Sequence, residues 1–162
     1  MTPRRSPILL CLLLLLGMSG RATGADLSIL QATGLSFMDI DTMTASMMKK
    51  CETAGLSEAD LDMVTAAYRH FRAHHLPHQK TIRDTATRIY QRRGAQGEQT
   101  LAYLQDPEVQ KSLAGQIVID KPSRDYCVFV FAPQLEGRMI ALNFADHAQK
   151  IMQQEATAAA GK

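Results

Sequence analysis

The placement of three cysteines limits this chain more than any other feature. Cys11 lies inside a continuous apolar run, Ile8 to Leu16, which follows Arg4 and Arg5. The run precedes the small residues Gly17, Ser19, Gly20, Ala22, Thr23, Gly24 and Ala25. A short positive stretch, an apolar stretch and a small-residue stretch are the three parts of a secretory signal peptide. The apolar run is about half of what a bilayer crossing needs. Residues 1–25 are therefore expected to be a cleaved signal peptide, cut after Ala22 or Ala25. This implies a periplasmic or secreted location and no transmembrane segment in the mature protein. Cys11 is followed by Leu12 to Leu16 rather than by the mature chain, which does not suit a lipid anchor. Ser6-Pro7 after the arginine pair does not suit twin-arginine export.

Cys51 and Cys127 then remain. In an oxidising compartment, two thiols in a small domain are expected to pair with each other. Closing so long a loop stabilises a fold by about 4 kcal/mol in the chain-entropy model. No C-x-x-C or Cys-His motif supports a reactive or metal-binding role for either thiol. The bridge Cys51–Cys127 thus ties an early element to a late one.

The chain has 162 residues, 46% hydrophobic and 21% charged. That suits one ordinary core and excludes disordered, collagen-like and multi-span membrane classes. With no tryptophan, 6% aromatic residues and a net charge of +2, nucleic acid is not expected as a partner. Losing the leader removes three arginines and no acid, so 15 Lys+Arg face 16 Asp+Glu in the mature chain.

Periodicity reads as helix throughout. Ser36 is a candidate cap for a helix to about Ala54, with Phe37, Ile40, Thr44, Met47, Cys51 and Ala54 at helical spacing. Gly55 follows as a C-terminal stop. Leu56-Ser57-Glu58-Ala59-Asp60-Leu61 is the clearest local signal, with Ser57 as cap and two acids at the positive helix end. That helix carries Leu61, Val64, Tyr68 and Phe71 and should end near His75, before Pro77. A third helix, from about His78 to Arg93, shows Ile82, Ala86, Ile89 and Tyr90, with Gly94 as its stop. A short segment with Leu101 and Leu104 follows, and Asp106-Pro107 restarts a helix carrying Val109, Leu113 and Ile117.

Val128-Phe129-Val130-Phe131 has strand propensity, but no second strand of comparable quality exists to satisfy its backbone. Residues 124–132 are therefore read as helix, broken by Pro133. Arg138 to Gln154 is read as the last helix. The expected fold is all-α: a small bundle of five or six helices stapled by one disulfide. It forms a single domain over 26–155, followed by a disordered tail over 156–162.

Charge is the most informative chemical feature. Arg69, Arg72, Lys80, Arg83, Arg88, Arg92 and Arg93 are opposed within their segment by Asp84 alone. Residues 26–68 hold seven acids against Lys49 and Lys50. One reading is mutual neutralisation in the folded bundle. The other is a basic face at 69–93 for an anionic partner, either an acidic protein or an envelope component.

Two further clusters suggest metal. His70 and His74 lie four apart on one helix face, with His75 and His78 close behind, half of a zinc or copper site. Completing such a site takes about four ligands, and no acid or cysteine lies in this stretch. Met38, Met43, Met47 and Met48 fall near Cys51, and thioethers select Cu(I). Methionines at this spacing also fill irregular cores. No G-x-S-x-G, H-E-x-x-H, P-loop or dinucleotide turn occurs, so no catalytic residue or cofactor is expected.

The expected function is an exported non-enzymatic binding protein using the basic face. An inhibitor or immunity-type partner of another envelope protein is one such form. The alternative is a periplasmic copper or zinc binder using His70, His74, His78 and the methionines, and a weaker one is a hydrolase with an unrecognised site.

Overall fold

The computed structural model describes residues 24–139 and 142–160. The expected leader lies outside the described residues, apart from Gly24 and Ala25, which open the first helix. The helices are α1 (Gly24–Ser36), α2 (Ile40–Glu52), α3 (Glu58–His74), α4 (Gln79–Gln91), α5 (Ala95–Leu104) and α6 (Pro107–Ala114). A run made of Arg124–Tyr126, Cys127–Phe131 and Ala132–Leu135 is α7, and Phe144–Ala160 is α8. There is no strand among the described residues, and the fold is a small all-α bundle.

The periodicity did not mark α1, and its environment gives the reason. It packs against α4, α6 and α8 at once. It buries Ile29 and every residue from Ala32 to Ser36, Gly34 included, so burial runs most of the way round its last turns instead of following one stripe. Its two fully buried hydroxyls turn back onto the helix: Thr33 Oγ1 donates to Ile29 O at 2.8 Å, and Ser36 Oγ to Thr33 O at 2.6 Å. Ser36 is thus the last residue of α1 and not the cap of the next helix. Asp39 takes that role, its side chain accepting from the Thr42 N–H at 3.1 Å.

The α3 entrance follows its local signal. Ser57 Oγ accepts from the Asp60 N–H, and the Asp60 carboxylate accepts from the Ser57 N–H, a reciprocal capping box. Asp106 likewise accepts from Glu108 N–H and Val109 N–H, with Pro107 in the first turn of α6. Along α4, Ile82, Thr85, Ala86 and Ile89 are buried against α1 and α8.

Residues 124–135 are helical, but Pro133 does not end the run. Cys127–Phe131 forms a wider π-helical turn in which the Ala132 N–H reaches back to Cys127 O. In a regular helix the Pro133 ring would press on the carbonyl four residues earlier. The wider turn just before it makes room, and the helix continues to Leu135.

The last helix starts later and ends later than its periodicity predicts. Gly137 has a positive φ of 72° and closes the turn after α7. Asn143 then caps α8, its Oδ1 accepting from the Asp146 N–H at 3.3 Å. At the other end, α8 continues through residues 156–160, where a disordered tail was expected.

Cys51 of α2 and Cys127 of α7 form the disulfide, with Cα atoms 5.8 Å apart. Both residues are fully buried in one core with Met47, Val64, Phe71, Ile117, Phe131, Leu135 and Phe144. No described helix is long and apolar enough to cross a membrane.

Candidate functional site

The seven basic residues at 69–93 are spread over α3, α4 and the segment that follows α4, and they meet different partners. Arg72 pairs with Asp41 of α2 at 3.2 Å. Lys80 and Arg83 both meet Asp84 on their own helix. Arg88 forms a two-pronged pair with Glu155 of α8, Nε to Oε1 and Nη2 to Oε2, each at 2.9 Å. Arg92 adds a contact to Glu155 Oε1 at 3.2 Å. The Arg88 guanidinium holds the Glu155 carboxyl below the usual carboxylate range. Five of the seven cations therefore pair with carboxylates of the same chain at the bundle surface.

Arg69 and Arg93 are exposed and have no carboxylate within ion-pair distance among the described residues. The Arg93 guanidinium lies 5.3 Å from the centre of the Tyr90 ring.

Arg92 and Arg93 sit beside an open groove of about 970 Å³ between α1, α4 and α8. Lys150, Gln153, Gln154 and Thr157 of α8 form its polar wall. Ile29, Ile89, Ala158 and Ala159 supply the apolar part. No carboxylate is among the described residues that line it. Lys150 also pairs with Asp146, one turn back, at 2.6 Å. The groove residues of α8 were not anticipated. Their signal was present, since positions 150, 153, 154 and 157 lie on one helical face.

The histidines gather differently from the His70/His74/His78 set. His70 and His74 ring centres are 4.6 Å apart on the exposed side of α3. The third ring packed against them is His75, 5.4 Å from His70. His75 is 6% exposed, and neither ring nitrogen has a partner at full hydrogen-bond geometry. Burial pushes its pKa down and the nearby His70, His74 and His78 add repulsion, while the Glu136 backbone partly opposes the shift. No three His, Cys, Asp or Glu side chains converge as a metal site among the described residues.

The methionines serve the core. Met47 and Met48 are buried, and Met38 and Met43 pack on the core from its edge. Cys51 beside them is bonded to Cys127 and holds no free thiol. A feature the sequence did not single out is Phe129, 66% exposed on the π-helical turn of α7.

The fold and groove together define a disulfide-stapled α-helical bundle with a cation-rimmed surface groove. No protein-family model matches the chain, and no curated protein or solved structure matches it significantly.

Proposed function

We propose that this is an exported, non-enzymatic binding protein that engages an anionic partner through the groove between α1, α4 and α8. One observation carries the reading. Arg92, Arg93 and Lys150 line a concave surface whose described lining contains no acid, and Arg93 keeps its charge free of any carboxylate among the described residues, while Arg92 and Lys150 also pair with Glu155 and Asp146 outside that lining. A concave surface rimmed by one sign of charge concentrates ligands of the opposite sign. The buried disulfide is compatible with an oxidising compartment outside the cytosol.

The test uses the purified protein immobilised and exposed to envelope extract of the producing cells at low and high salt. A component retained at low salt should be released at high salt, because exposed charge pairs are screened beyond about 8 Å at physiological ionic strength. The Arg93→Glu/Lys150→Glu variant should lose that component, whereas Arg69→Glu should keep it. Retention indifferent to salt and to both variants would overturn the reading.

A further inference from the structure

We infer that the groove takes a single-chain alkyl phosphate: one hydrocarbon chain ending in a phosphate group. This rests on the anion-binding reading above and names its ligand class. The groove separates two chemistries. Ile29 and Ile89 are nearly buried and form an apolar floor, extended by Ala158 and Ala159 near the end of α8. Arg92, Arg93 and Lys150 supply the positive side, and the Gln153 and Gln154 amides supply neutral donors, while the Thr157 hydroxyl is spent on the Gln153 carbonyl at 2.9 Å.

An inorganic anion would use only the polar half. A neutral hydrocarbon would leave three cations facing its chain. An amphipathic anion uses both. The groove, about 970 Å³ and open to solvent, has room for such a ligand.

The cations also favour phosphate as the headgroup. Arg92 and Lys150 are already oriented by Glu155 and Asp146. Arg93 has no such carboxylate, so its planar fork is available for two parallel bonds to one phosphate group. Two more cations and the two neutral amides of Gln153 and Gln154 around the same groove suit an oxyanion with several acceptor oxygens. No aromatic side chain is among the described lining residues, so a nucleotide base would find no ring to stack on.

The experiment is a titration of the isotopically labelled protein, expressed from the full sequence, with dodecyl phosphate below its micelle-forming concentration. Backbone resonances of Ile29, Ile89, Arg93, Thr157 and Ala158 should shift together and saturate. Inorganic phosphate should bind at least about tenfold more weakly, and dodecyltrimethylammonium should not shift this set. Arg93→Gln should weaken dodecyl phosphate by about tenfold, Arg93→Lys by less, and Arg69→Gln should leave it unchanged. Absence of a saturable shift at these residues would overturn the inference. So would equal binding of inorganic phosphate or of the ammonium detergent. If dodecyl phosphate fails while salt-sensitive retention from envelope extract persists, the ligand class falls and the anion-binding reading stands. If both fail, both fall. Binding to phosphate-bearing vesicles without binding of the monomeric probe would place the partner at a membrane surface and overturn the groove as its site.

Discussion

Gly137 and His75 fit against each other so closely that no other residue can replace the glycine without movement. A methyl group at Gly137 would lie 2.6 Å from the His75 Cε1 and 2.7 Å from its Nε2. Gly137 also holds a φ of 72°, a conformation costly for any residue with a β-carbon. The turn after α7 is thereby pressed onto the last turn of α3. Gly137→Ala should lower stability by about 2–4 kcal/mol, combining backbone strain with a collision in a close-packed site. The denaturant midpoint should fall with little change in slope. Adding His75→Ala should relieve the collision but not the strain, so the double variant should lose less than the two single losses combined.

His75 also predicts how stability responds to pH. Its folded pKa is depressed, first by burial and then by His70 and the other nearby histidines. In the unfolded chain it titrates near its ordinary value of about 6.5. Below that value the unfolded state takes up a proton that the folded state refuses, so acidification favours unfolding. Stability should be level above about pH 7 and fall as pH drops through 6.5 towards the depressed folded pKa, by at most about 1.4 kcal/mol per unit from this group. The carboxylates with lowered pKa values, Asp39, Asp60, Asp84 and Glu155, lose their contribution only in more acidic solution. Urea midpoints between pH 7.5 and 5.5 for wild type and His75→Gln check this. Parallel curves would show that His75 is not the group responsible.

Ser57, Asp106 and Gly94 were legible in the sequence because caps and stops act within four residues. The disulfide was legible because reading residues 1–25 as a leader leaves two cysteines and one pairing. By contrast, α1 carries no stripe, since it is enclosed on several sides by α4, α6 and α8. Ser36 resembles a cap in sequence, but tertiary burial folds its hydroxyl onto Thr33. The charge imbalance of 69–93 was visible, whereas its use was not. Arg88 meets Glu155 across 67 residues of chain, a pairing only the packing of α4 on α8 creates. The same packing brings Lys150 to Arg92 and Arg93 in the groove.

The capping box at α3 gives a local test. Ser57→Ala should cost about 1 kcal/mol, the usual loss for a capping hydroxyl. Asp60 has a second task, because Arg124 of α7 donates to both its oxygens at 2.8 and 3.0 Å. These bonds lower the Asp60 pKa, Arg124 contributing most and Ser57 next. Asp60→Asn should therefore destabilise more than Asp62→Asn, whose carboxylate is exposed two positions along the same helix. Thermal melts of the three variants compare them directly. Equal melting for Ser57→Ala and wild type would mean the box contributes nothing.

The disulfide sets the remaining expectation. Cys51 and Cys127 are each 0% exposed, so a reductant cannot reach the sulfurs until the contact between α2 and α7 opens. The native protein should show no alkylatable thiol among these two, and its non-reduced mass should lie two hydrogens below the reduced form. Reduction by dithiothreitol should be slow in native buffer and accelerate with sub-denaturing urea, which raises the population of open states. A Cys51→Ala/Cys127→Ala variant removes the constraint on the unfolded chain, worth about 4 kcal/mol for so long a loop. The surrounding core of Met47, Val64, Phe71 and Phe131 is retained, so the variant should keep its helical circular dichroism while unfolding at lower denaturant. Fast reduction without urea would show that the bridge is exposed in solution, and an unchanged midpoint in the variant would show that it does not hold α2 to α7.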